Sequence, residues 1–516
     1  MTAEQNDVGK VYLVGAGPGD PELISVRGQR LLESADTVVY DNLIPPELII
    51  SLPPETALIY VGKKASDHAL PQDEINALLV QLAREGKTVV RLKGADPLIF
   101  GRGGEEAAYL KQHGIVYEII PGITAAIGAA ACTGIPCTDR TRASLVTFAT
   151  GHKAKDKDVS SVPWDDLARL KNGTLVIYMG VGEVAGIVSQ LIDGGMSPDR
   201  PAAIIERGTL PTQRRVIGTL GTLPDLVQQE SIRPPALFMI GETVELHSTL
   251  DWYGGKALSG LRVMVLRPAD QAGSVYHELR ELGAEVLPYP TIATREVVDD
   301  NAWSKIKRLS GSHRWLLFTS ENGVRYFMRQ LAEKVGDVRH LAAYRIAAVG
   351  YGTARALREH ALTADFIPTK ATVARLASEL CETYSLAGAE VVRVQGNLSD
   401  NTVYDTLTAA GASVLPLEVY HTYHPEWPDE YRNRLFDFPP DVILFSSGST
   451  AEGLVQKFSV GELARLTEKA VLVSIGPSTS AMIESYGLKV TVEAAEHSLP
   501  GVIEALVSYF TKEKQG

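Results

Sequence analysis

Residues 11–41 read VYLVGAGPGDPELISVRGQRLLESADTVVYD. An apolar run ends in a glycine-rich turn, an amphipathic stretch ISVRGQRLLESA follows, and a second apolar run, TVVYD, closes the unit. Strand, turn, helix and strand in that order form the elementary α/β unit, with short apolar strands buried in a parallel sheet. The same cadence returns in KTVVRLKG, GTLVIYMG, RPAAIIERG and PALFMIGE. It predicts an α/β protein with mainly parallel sheets. Over residues 247–260 the rhythm breaks into HSTLDWYGGKALSG, which reads as a linker, and a fresh strand opens with LRVMVLRP at residues 261–268. Beyond it, WLLFTSENGV, RIAAVGYGTA, EVVRVQGN, VILFSSGST and VLVSIGPSTS each read as a strand entering a loop rich in Gly, Ser, Thr and Asn. No fixed period holds, so these are related αβ units rather than a solenoid.

A chain of 516 residues supports several cores, and its 45% hydrophobic and 22% charged content is that of a globular protein. The net charge of −12 argues against broad nucleic-acid binding, which needs a basic surface to displace counterions. An acidic small molecule would need a local nest of Arg and Lys. Cys132, Cys137 and Cys381 are too few and too scattered for a disulfide scaffold, which fits a reducing cytoplasm. The N-terminal MTAEQNDVGK has no signal-peptide pattern. Residues 119–138 are uncharged, but Pro121, Gly122, Gly134 and Pro136 interrupt them, so a buried turn and helix is expected rather than a membrane span. His421 and His424 offer only two ligands, and no metal site is expected.

Gly15, Gly17 and Gly19 suggest a dinucleotide fingerprint, but Asp20 stands where the sixth-position glycine is needed and Pro18 disrupts the helix start. The turn still lets backbone approach a ligand closely. Asp41 ends a strand, where ligands of open α/β sheets bind. Lys63 and Lys64 precede a helix, VVRLKGADPLIFGRGGEE adds Asp96 and a second glycine cluster, and EIIPGITAAIGAAACTGIP supplies Thr124 and Ala125. Asp96 taken alone is more often a helix cap than a ligand contact.

The order GAGPGDP, VVYD, VGK, RLKGADPLIFGRGGEE, PGITAA, GIPCTDR, YMG and ERGT resembles uroporphyrinogen-III C-methyltransferase, a tetrapyrrole methylase that uses S-adenosylmethionine. The resemblance spans residues 8–250. It implies two αβα subdomains with the cofactor in the cleft between them, and a homodimer. It further implies cofactor contacts at Pro18, Gly94, Ala95, Asp96, Ile99, Thr124, Ala125, Met179 and Gly208, a proton acceptor at Asp41 and a proton donor at Lys63. The eight carboxylates of the implied substrate would be received by Arg91, Arg102, Arg140, Arg142, Arg207, Arg214 and Arg215, since arginine binds carboxylates bidentately. Ala95 stands where the family has Gly, Leu98 where it has Phe, and Asn42 and Asp139 where it has Arg and His.

The loops TSENGV, AVGYGTA, RVQGN, VYHT, FSSGST and IGPSTS make residues 261–510 similar to uroporphyrinogen-III synthase. That resemblance implies two flavodoxin-like domains joined by two strands. Tyr420 matches the group that assists hydroxyl departure, with Thr319, Ser320, Asn322, Thr353, Ser447, Ser449 and Ser478 as substrate binders. The expected organisation is a methyltransferase over residues 1–250, a linker over 251–260 and a synthase over 261–516. One synthase subdomain would take residues 261–293 with 425–516, the other 294–424. Together the resemblances imply an enzyme that closes hydroxymethylbilane to uroporphyrinogen III and methylates it at ring carbons 2 and 7 to precorrin-2. The alternative is an active methyltransferase whose C-terminal half only binds tetrapyrrole.

Overall fold

The computed structural model describes residues 8–62, 70–152, 162–399 and 401–513. Four five-stranded sheets carry the fold, two in each half of the sequence. The first runs, edge to edge, Ala57–Tyr60, Thr37–Tyr40, Val89–Lys93, Lys10–Gly15 and Val116–Ile120, all parallel. Thr37–Tyr40 and Val89–Lys93 are buried at every position, as inner strands covered by helices should be. The helix Val26–Glu33 returns the chain between the first two strands, with Ser25 Oγ accepting the Gly28 amide at its start.

The second sheet runs Leu145–Thr150, Gly173–Tyr178, Ala236–Ile240, Pro201–Glu206 and Arg214–Thr219. Only its first pair is parallel, which corrects the expectation of mainly parallel sheets for this region. Residues 207–213 turn the chain straight back into the edge strand, and the following strand inserts antiparallel. An apolar run records burial but not the direction of its neighbours.

In the C-terminal half, the third sheet runs Glu285–Pro288, Arg262–Val265, Val442–Phe445, Val471–Ser474 and Val492–Glu493, all parallel. The fourth runs Ala293–Glu296, Ser413–Tyr423, Glu390–Gly396, Arg314–Phe318 and Tyr344–Ala348, antiparallel only at its first pair. The chain divides into two compact units, Met1–Pro290 with Trp427–Gly516, and Thr291–Glu426. The first unit holds three of the sheets and the second unit holds the fourth. Within the first unit, one continuous buried cluster joins Val14, Tyr40, Ile44 and Leu92 to Met264, Tyr289, Tyr431 and Phe445. Residues 251–260 are docked: Trp252 Nε1 donates to the Ala131 carbonyl at 2.8 Å, Tyr253 Oη donates to that of Thr209 at 2.7 Å, and Leu258 is fully buried. Among the described residues no helix is long and apolar enough to cross a membrane.

Candidate active site

The carboxyl ends of the first sheet bring three loops into backbone contact. The Gly17 and Ala95 amides each donate to the other residue's carbonyl, at 3.2 and 2.8 Å. A Cβ on Gly15 would lie 2.6 Å from the Ala95 carbonyl oxygen and from the Gly122 nitrogen, so no side chain fits there. Asp96 ties the second loop to the third. Its Oδ1 accepts the Leu98 and Ile99 amides at 2.8 and 3.2 Å, and its Oδ2 accepts the Gly122 amide at 3.0 Å. Thr124 opens the helix Ala125–Thr133 and shares a 2.7 Å hydrogen bond with Tyr178 Oη, which also accepts the Ala126 amide.

Beside these loops lies a cavity of about 1750 Å³. That exceeds the roughly 300–1,000 Å³ that holds one drug-sized ligand, so two reactants fit side by side. Pro18, Gly94, Ala95, Ile99, Ala125, Met179 and Gly208 line it, while Asp96 and Thr124 stand just behind the lining and brace it. Ala95, Phe100, Arg102, Met179 and Arg207 line it with φ between 53° and 59°, a conformation L-residues adopt at a cost. Such strain gathers at functional sites. Ala95 carries it at 57°. Ala95→Gly is therefore expected to stabilise the protein by about 1 kcal/mol, read as a higher urea midpoint.

Under the cavity wall lies a charged cluster. Asp41 follows the strand Thr37–Tyr40; its Oδ2 accepts from Arg91 Nη2 at 3.3 Å and its Oδ1 from the Leu43 amide at 3.2 Å. Arg91 and Lys93 project from a fully buried strand, and both are only 4% exposed. Glu106 enters from the first turn of the helix Gly103–Gln112 with no exposure at all. Its Oε1 receives Arg91 Nε at 3.3 Å, Lys93 Nζ at 2.9 Å and Gln72 Nε2 at 3.1 Å. Burial pushes the Lys93 ammonium below its ordinary pKa, and the neighbouring Arg91 pushes the same way, against the pull of Glu106. Lys63 lies outside the described residues.

Of the arginines expected to receive substrate carboxylates, Arg91, Arg102 and Arg207 line this cavity. Arg91 lines the cavity with its guanidinium bonded to Glu106, Asp41 and the carbonyls of Val39 and Leu92. Arg102 lines the cavity paired with Glu105, and Arg207 lines it paired with Glu285 at 3.0 Å. Arg140, Arg142, Arg214 and Arg215 lie off the cavity lining. Arg142 bonds Glu245, Arg214 bonds Glu206 and Glu230, and Arg215 bonds Asp251 and the Thr133 carbonyl. Asp139 caps its own turn through Thr141 and Arg142. No sequence pattern assigns Glu106, Lys93 or Tyr178 a role; the two charges within the apolar strand VVRLK are the available signal.

In the second unit, Tyr420 Oη lies 3.0 Å from Ser320 Oγ, at the carboxyl ends of the fourth sheet. The Tyr420 ring stacks on Tyr326 at 5.7 Å, and Gly396 leaves room for it, since a Cβ there would meet the ring at 2.6 Å. Thr319, Arg393 and Thr422 line a pocket of about 200 Å³ with Tyr420. Ser320 also caps the helix Glu321–Lys334, and Asn322 Oδ1 accepts from Arg325. Thr353 is buried in the helix Tyr351–Glu359. In the first unit, Ser447 caps the helix Gly448–Lys457 and bonds Ser449 at 2.9 Å, and Ser478 is exposed on Pro477–Ser485. No group of three His, Cys, Asp or Glu among the described residues is placed to hold a metal.

Residues 10–224 match the family model of tetrapyrrole (corrin/porphyrin) methylases, and residues 274–504 match that of uroporphyrinogen-III synthase HemD. The chain is 35% identical over 500 residues to the porphyrin biosynthesis protein HemD of Ruminiclostridium josui, covering 97% of this chain and 98% of that one. It is 49% identical over 252 residues to the siroheme synthase of Nitrosomonas europaea, covering 49% of this chain and 52% of that protein. The chain thus spans about half the length of the siroheme synthases it matches. Among solved structures, the uroporphyrin-III C-methyltransferase of Thermus thermophilus in complex with S-adenosylhomocysteine is similar at 37% identity. The match covers 46% of this chain and 94% of that one, with a TM-score of 0.39.

Proposed function

Because the chain belongs to the family of the porphyrin biosynthesis protein HemD, with a tetrapyrrole methylase half and a uroporphyrinogen-III synthase half, we propose that it carries out two consecutive reactions. Residues 261–516 close hydroxymethylbilane to uroporphyrinogen III with loss of water. Residues 1–250, acting as a homodimer, methylate that product at ring carbons 2 and 7 to precorrin-2. The observation that carries the reading is the Asp41 carboxylate, held by buried Arg91 at the wall of a cavity sized for two reactants.

S-adenosylmethionine, the cofactor of these methylases, supplies an electrophilic methyl group on its sulfonium when bound. The residues present suit it. Met179 and Phe100 offer exposed apolar surface to a purine, Gly94 and Gly208 keep the floor low, and the loop staple at Asp96 fixes the backbone beneath. Gly208 is closely packed, since a Cβ there would stand 2.8 Å from that of Ala129. Holding both reactants in line is the main contribution to rate. Asp41 then accepts the proton released from the attacked macrocycle, with its carboxylate kept in register by Arg91 Nη2 and the Leu43 amide. In the synthase half, Tyr420 Oη donates a proton to the departing hydroxyl, which leaves as water, and Ser320 Oγ orients that phenol.

Full-length protein given hydroxymethylbilane and methyl-labelled S-adenosylmethionine under anaerobic conditions should yield a dimethylated type III macrocycle carrying label. Tyr420→Phe should slow closure by about a hundredfold while preformed uroporphyrinogen III is still methylated. Isomer I alone from the unsubstituted protein would refute synthase activity, and unlabelled macrocycle would refute methyl transfer.

A further inference from the structure

The helix Asp429–Asp437 belongs in sequence to the synthase half, yet it lies across the methylase cavity. Tyr431 and Arg434 are spaced i, i+3, which puts them on one face, and Phe438 follows the last turn. Tyr431 stacks on Tyr40, at the end of a strand in the first sheet, with centroids 6.1 Å apart and planes 8° from parallel. Phe438, just past the helix, lies under the Arg207 guanidinium at 4.8 Å, and Arg207 follows a strand of the second sheet. A helix of nine residues, about 13 Å long, therefore touches both methylase sheets. Tyr40 Oη also donates to Glu430, which fixes the first anchor.

Arg434 stands between those anchors, half-buried, and lines the same cavity as Asp41. Most cations of that lining are already neutralised: Arg91 and Lys93 by Glu106, Arg102 by Glu105, Arg207 by Glu285 and Arg280 by Glu47. Arg434 and Lys256 carry no ion pair among the described residues, and of the two Arg434 is the one fixed on a helix clamped at both ends. An unpaired guanidinium facing a cavity from an anchored helix is placed to grip a carboxylate of the ligand through two parallel hydrogen bonds.

We propose that Arg434 receives a side-chain carboxylate of the tetrapyrrole during methyl transfer, so that the methylase site is completed by the synthase half of the same chain. The inference rests on the methyl-transfer reading above. Its test is steady-state methylation of uroporphyrinogen III by full-length Arg434→Gln, with Arg434→Lys beside it. The KM for the tetrapyrrole should rise about ten- to a hundredfold in Arg434→Gln, with the KM for S-adenosylmethionine unchanged. Lysine should recover much of the loss, because it keeps the charge while losing the fork. A tetrapyrrole KM that stays put in Arg434→Gln, with wild-type turnover normal, overturns the inference and leaves the reading standing. A parallel rise in both KM values would mean that the helix merely supports the fold, and also overturns it. Failure of the unsubstituted protein to methylate any tetrapyrrole overturns both.

Discussion

Glu106→Ala is expected to lower the unfolding free energy by about 3–5 kcal/mol, the cost of removing one partner of a buried ion pair. Glu106 has no exposed surface, and its Oε1 alone compensates Arg91 and Lys93, themselves 4% exposed. Alanine leaves both cations buried without a counter-charge, except for the link from Arg91 to Asp41. Arginine cannot shed its proton, so the strain falls on Lys93, whose pKa burial already holds below 10.5. Without Glu106 that pKa falls further. The unfolded chain then binds a proton that the folded chain gives up, and stability rises with pH across that interval. The deficit of Glu106→Ala relative to wild type should thus be full below the depressed pKa and narrow as pH climbs toward 10.5. Urea denaturation of both proteins at neutral and alkaline pH checks size and slope together. A loss under about 1 kcal/mol would mean that water reaches the cluster and screens it.

Asp41→Asn is expected to slow methyl transfer by about a hundred- to ten-thousandfold, the usual weight of a positioned base. The amide oxygen still accepts from Arg91 or from the Leu43 amide, so the wall keeps its shape while losing the lone pair that takes the proton. S-adenosylmethionine binding should survive, because Asp41 is not among the residues expected to hold it, although it lines the same cavity as Gly94, Met179 and Gly208. Single-turnover methylation alongside calorimetric titration of the cofactor separates the two effects. Cofactor affinity falling in step with rate would make Asp41 part of the scaffold rather than the base.

The sequence exposed the architecture where a local pattern carries it. The alternation of apolar runs and amphipathic stretches marks strands and helices without any partner in view. The loop after RLKG is recognisable because three backbones must meet there and only small residues allow it, as Gly15 and Gly122 show. Direction of pairing in the second sheet was hidden, since burial looks alike in either sense. The arginines were hidden for a related reason. Arg215 bonds Asp251, thirty-six positions away, and Arg207 bonds Glu285, seventy-eight away. Whether an arginine is spent or available depends on such distant carboxylates, and spacing along the chain does not encode them. Asp96 serves as a loop staple through three backbone amides, the plain role that its residue type allows. Glu106 sits in the acidic first turn of a helix, where a glutamate ordinarily favours the dipole from the surface, and only the fold turns it inward.

The cluster that joins Tyr40 and Ile44 to Tyr289 and Tyr431 has a consequence for how the gene is dissected. Cutting the coding sequence at residues 251–260 follows the visible seam but slices through a single oil drop. Each fragment would inherit half of that drop as bare surface, and the N-terminal one would also leave Glu47 without Arg280. Complementation by separated fragments therefore reports on their solubility before it reports on their chemistry. The two proposed reactions are best silenced one at a time inside the intact chain.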